Sequence, residues 1–130
     1  MIRTLVVGLA ALVIGGGVAL AADGEHAHDH SAKHGGIVEH SGHHHLELVA
    51  KGDTIKLYVT DESGAPEDAS AAQASATVLA DGKVEKVALE PAGGNALKGS
   101  GGFNAGKGTT VVVSLTLPGH EPEQVRFALD

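Results

Sequence analysis

Over several stretches of this chain every second residue is apolar. Ile55, Leu57 and Val59 alternate with Thr54, Lys56, Tyr58 and Thr60, and Val111, Val113, Leu115 and Leu117 are spaced the same way. A period of two belongs to a β-strand with one buried face. Shorter stretches repeat it at Leu46, Leu48 and Ala50 and at Val125, Phe127 and Leu129, and residues 37–40 form a short run before them. Residues 75–80 and 84–90 flank Asp81-Gly82, a strong hairpin signal, because a type I′ turn needs positive φ at both central residues. Ser41-Gly42, Lys51-Gly52-Asp53 and Pro118-Gly119 read as turns, and residues 61–70 as a loop. The glycine-rich stretch 91–107 holds at most a short strand near 96–98, with Phe103 turned inward. No stretch carries the helical period. The expected fold over residues 34–130 is therefore all-β: a small antiparallel β-sandwich, immunoglobulin-like, of seven or eight strands. A small barrel is the competing closure. The core is expected from Leu46, Leu48, Ile55, Leu57, Val59, Val111, Val113, Leu115, Val125 and Phe127.

The N-terminal third changes character. Arg3 precedes an apolar run from Leu5 to Leu20, and Ala19-Leu20-Ala21 supplies a small-x-small cleavage signature. Residues 1–21 read as a signal peptide, too short and too glycine-broken for a comfortable bilayer span of about 20 residues. No cysteine follows to carry a lipid, so the exported chain is expected to keep no membrane anchor and to reside in the periplasm. Residues 22–33 show no apolar period and read as a flexible, histidine-rich arm.

The chain of 130 residues carries a net charge of −7 and no cysteine. Without disulfides the apolar core must hold the fold by itself. An acidic chain without a basic patch argues against nucleic acid, whose phosphates call for Lys and Arg. Tyr58, Phe103 and Phe127 are the only aromatics besides histidine, too few for a stacking surface.

Eight of the nine histidines fall between His26 and His45. In the arm, His26, His28 and His30 stand at every second position with Asp23, Glu25 and Asp29 interleaved, an arrangement for loose capture of divalent cations. At the start of the domain stand His34-Gly35-Gly36 and His40-Ser41-Gly42-His43-His44-His45-Leu46-Glu47. With Ser41-Gly42 as the turn, His40 lies opposite His43 and Val38 opposite His45. His40, His43, His45 and Glu47 then share one face, with His34 free to swing in, while His44 points with Leu46 and Leu48 to the other. A one-residue change in the turn would bring His44 onto the ligand face instead. Three imidazole nitrogens with a carboxylate or water suit zinc's tetrahedral preference. His120, in Pro118-Gly119-His120-Glu121-Pro122, reads as a surface loop histidine, although loops at one end of a sandwich could bring it near the cluster. Without thiolate or thioether in the exported chain, the expected cargo is a divalent transition metal: zinc or copper(II) first, then nickel, cobalt or cadmium.

His34-Gly35-Gly36-Ile37-Val38 and Gly42-His43-His44-His45-Leu46-Glu47-Leu48-Val49 resemble the small periplasmic domain of cobalt–zinc–cadmium efflux systems. That domain occurs alone or attached to a membrane-fusion adaptor. The likeness continues through residues 53–61, Asp81-Gly82, residues 91–94 and Val125-Arg126-Phe127. It implies a periplasmic metal-binding role in heavy-metal resistance, as buffer or metallochaperone, with an efflux-pump adaptor as possible partner. The chain lacks the adaptor's own coiled-coil hairpin and lipoyl-like parts. A non-enzymatic role is expected. Two alternatives stand beside it: a copper/zinc enzyme of the dismutase-like sandwich type, which normally has a cysteine pair, and a metal-independent interaction module.

Overall fold

The computed structural model describes residues 32–130; the expected leader and the arm histidines His26, His28 and His30 lie outside them. Seven strands follow in order: β1 (Ile37–Ser41), β2 (His44–Asp61), β3 (Gln73–Ala80), β4 (Lys83–Pro91), β5 (Ala96–Ala105), β6 (Thr110–Thr116) and β7 (Glu123–Ala128). All pairings are antiparallel, and no helix occurs among the described residues. The hydrogen-bonded order is β1-β2-β5-β4-β3-β6-β7, and the two outer strands, β1 and β7, approach each other, so the sheet is nearly closed.

β2 is too long to be straight. Its Thr60 hydroxyl donates to the His45 carbonyl at 3.3 Å, fifteen residues away. Extended, that segment would span about 50 Å. The strand therefore doubles back, and Gly52, at φ 57°, sits at the bend, where the Lys51-Gly52-Asp53 turn is expected from the sequence. One limb pairs with β1 and the other with β5. The Asp81-Gly82 hairpin also forms as read, with φ of 51° and 72° and Ala80 paired to Lys83.

β5 corrects the expectation of a short strand near 96–98, since it runs for ten residues. Its Gly99 and Gly101 answer to close approach rather than to turns. A Cβ on Gly99 would lie 2.5 Å from the Ala88 carbonyl oxygen of β4, so only glycine lets the two backbones pair there.

All ten core positions named from the alternation are buried, joined by Leu97, Val78, Ala76 and Leu89 among others. Antiparallel order then sorts the connections. The β1–β2 turn, the β2–β3 loop and the β6–β7 loop all emerge at one end of the sheet, and that end carries the chemistry.

Candidate metal centre

The site begins with a turn. Gly42 takes φ 54°, while His43 stays outside the positive-φ region. Positive φ at the first central position alone is the type II′ arrangement, which wants glycine there. Gly42-His43 is thus the two-residue turn, not Ser41-Gly42. Putting serine first would have demanded positive φ of a residue with a Cβ. The register shifts accordingly: Ser41 faces His44, His40 faces His45, Val38 faces Glu47 and Ile37 faces Leu48. Alternation is preserved, so His40, His45 and Glu47 still share one side and His44, Leu46 and Leu48 the other.

The histidines therefore separate. His43 leaves the strand face for the turn, where its exposed ring meets Glu62 (Nδ1 to Oε1, 2.6 Å). The hydrogen bond and charge of that carboxylate raise the imidazole pKa above its ordinary value. His40 and His45 lie side by side, ring centroids 4.9 Å apart, with His45 buried and His40 exposed. His34 does swing in, but it stacks flat on Tyr58 at 3.6 Å and its Nδ1 meets Glu47 Oε1 at 3.0 Å.

Glu47 anchors the start of the domain. Its oxygens accept the backbone N–H groups of Lys33 (2.9 Å), His34 (2.8 Å) and Gly36 (2.9 Å). Burial by itself would push the Glu47 carboxyl up, but the Gly36 and His34 donors outweigh it and hold the pKa below the usual carboxylate range. A depressed folded value means stability that is fully present above the ordinary range, about 4, and lost as pH falls through the folded value. Replacing Glu47 with Gln should remove this acid-dependent component, and Glu47→Ala should cost about 2–3 kcal/mol by orphaning several donors. Thermal melts followed by circular dichroism from pH 7 down to 3 check both. A Glu47→Gln chain that melts like the parent at every pH would rule the anchor out.

On the other side of the hairpin, His44 is 2% exposed and points to the end of the sheet where the loops gather. Glu67, from the β2–β3 loop, places Oε2 3.2 Å from His44 Nε2. Glu123, the first residue of β7, places Oε1 3.2 Å from His44 Nδ1. His120, from the β6–β7 loop, sets its ring edge-on to His44 with centroids 5.1 Å apart. One ligand atom from each of His44, Glu67 and His120 falls within 4.8 Å of the others.

The loops that supply these groups are pinned. Glu67 N donates to the Val59 carbonyl and His120 N to the Leu117 carbonyl, each at 3.0 Å. Asp61 Oδ1 accepts from Ser63 Oγ, Ser63 N and Ala65 N, closing the start of the β2–β3 loop. An open cleft of about 370 Å³ leads in, lined by His43, His44, Asp61, Glu62, Ser63, Glu67 and His120. Among the described residues, no Lys or Arg lines it. Two imidazoles and a carboxylate against an acidic rim form a recess suited to a small divalent cation.

The structure thus divides the expected cluster into a His40–His45 pair, a His34–Glu47–Tyr58 group and the His44 centre. Glu67 and Glu123 are absent from the sequence-based set, and His120, exposed on the β6–β7 loop as read from the sequence, also enters as a ligand candidate. Counting strand reversals would have placed all three loops at one end; nothing in local spacing singles out Glu67. Comparison of the chain with known protein families, curated proteins and solved structures finds no match.

Proposed function

We propose that this chain binds a divalent transition-metal ion at His44, Glu67 and His120, as an exported, periplasmic protein that buffers or carries such ions. One observation carries the reading: three ligand atoms from three separate segments converge within 4.8 Å around a buried imidazole. Histidine nitrogen with carboxylate oxygen suits zinc or copper(II), then nickel, cobalt and cadmium, and disfavours copper(I). Three protein ligands leave a position open for water or for a ligand on another protein, which fits exchange of cargo. The resemblance in His34-Gly35-Gly36 and the following strand supports a role in heavy-metal resistance, with an efflux adaptor as recipient. The β-alternation supports an immunoglobulin-like sandwich as the frame, and the lack of a cysteine pair favours a binder over a dismutase-like enzyme.

The test is an equilibrium titration of the full chain with Zn²⁺ against a chromophoric chelator. The expected result is one tight ion per domain that persists when His26, His28 and His30 are all changed to Ala, with only weaker binding lost. Affinity should fall steeply between about pH 7 and 5, because imidazole coordinates only when neutral. If the arm variant lost all binding, the folded centre would not be the site.

A further inference from the structure

The two nitrogens of His44 point away from each other across the ring, and each meets a different carboxylate. Nε2 faces Glu67 and Nδ1 faces Glu123, both at 3.2 Å. Glu67 and His120 stand together around one ligand position. Glu123 stands on the far side of the imidazole, out of reach of an ion held at Nε2. We infer that Glu123 is the positioning residue of the centre, accepting a hydrogen bond from His44 Nδ1–H while Nε2 faces the ion. This rests on the metal reading above and assigns a role within it.

Three features support the assignment. Glu123 is held by the β6–β7 ladder, paired with Leu115, whereas Glu67 and His120 come from loops. A strand-held carboxylate is the more rigid reference for orienting a ring. The turn makes room for it: a Cβ on Gly42 would lie 3.1 Å from Glu123 Oε1, so glycine serves the turn and clears the carboxylate at once. Glu123 Oε2 is buried and has no hydrogen-bond partner among the described residues, so the carboxylate's hydrogen-bond contact runs through Oε1 to His44 Nδ1. A carboxylate behind a coordinating imidazole fixes its tautomer and strengthens nitrogen as a donor. With Glu67 in front and Glu123 behind, the double charge of the ion offsets two acids at a recess where no Lys or Arg stands among the described lining residues.

The experiment compares Glu123→Ala and the near-isosteric Glu123→Gln with the parent full chain, using Zn²⁺ as probe, with His44→Ala and His120→Ala alongside. Glu123→Ala should weaken Zn²⁺ binding about ten- to a hundredfold. Glu123→Gln should fall between, because its amide oxygen still accepts Nδ1–H but carries no charge. Nitrogen NMR of the zinc-loaded parent should show His44 coordinated through Nε2 and protonated at Nδ1. That Nδ1 proton should exchange faster in Glu123→Ala, a change that a merely structural role would not produce. Parent-like affinity and proton exchange in both Glu123 variants would overturn the role while leaving the metal centre standing, provided His44→Ala and His120→Ala lose binding. Parent-like binding in those two would overturn the metal reading itself, and the role of Glu123 with it.

Discussion

His44→Ala should lower zinc affinity at the folded domain by more than about a hundredfold, the largest loss of any single histidine. Changing a residue that only orients a ligand typically costs ten- to a hundredfold, and removing a ligand nitrogen costs more. His44 is the one buried imidazole shared by Glu67, Glu123 and His120, so its loss dismantles the centre rather than trimming its edge. The neighbouring His45→Ala makes a sharp control. It is equally buried, one residue along, and on the opposite side of the strand, so it should leave the affinity nearly intact. This ranking reverses the one that follows from a Ser41-Gly42 turn, where His40, His43 and His45 carry the ion and His44 matters least. Chelator competition on each single variant decides between them. A His44→Ala chain that binds like the parent while His45→Ala fails would return the site to the other face.

Phe127→Ala should cost about 3–5 kcal/mol of stability, the largest effect expected outside the metal centre. Phe127, on β7, is fully buried and pairs across the ladder with Val111 of β6, and β7 is the strand that brings the sheet close to closure. Truncation leaves a cavity that stiff neighbours such as Val111 and Val113 fill poorly. Against a typical total of 5–15 kcal/mol, such a loss could remove much of the margin, and the melting temperature should drop by more than about 10 °C. Urea and thermal unfolding of the metal-free chain measure it without interference from the ion. A loss below about 1 kcal/mol would mean that β7 does not seal the core.

The core was readable because burial follows a two-residue period that local sequence displays directly. The hairpin turns were readable where chemistry admits one solution, as at Asp81-Gly82. At Ser41-Gly42-His43 two placements compete, and the deciding fact is that glycine sits first in a type II′ turn. The glycines of β5 mislead for a related reason: at Gly99 the residue answers to the neighbouring Ala88 carbonyl, a partner eleven positions back. The centre itself was only half visible. The density of histidines points to metal, yet Glu67 and Glu123 join His44 through tertiary proximity across 23 and 79 positions. Glu47 shows the converse. It stands in a ligand-like spacing, yet backbone donors of the preceding loop claim its oxygens.

The near closure of the sheet has a consequence for when the centre comes into being. Its groups come from the start of β2, the loop after it, and the last connection before β7, so no local fragment contains them together. Long-range pairings of this kind form late, after the chain-closure entropy has been met by the apolar faces. A partly folded chain can offer scattered histidines but not this grip. An ion that prefers the assembled centre then favours the finished sheet by mass action. Tight occupancy would report that the chain has folded through to its last strand.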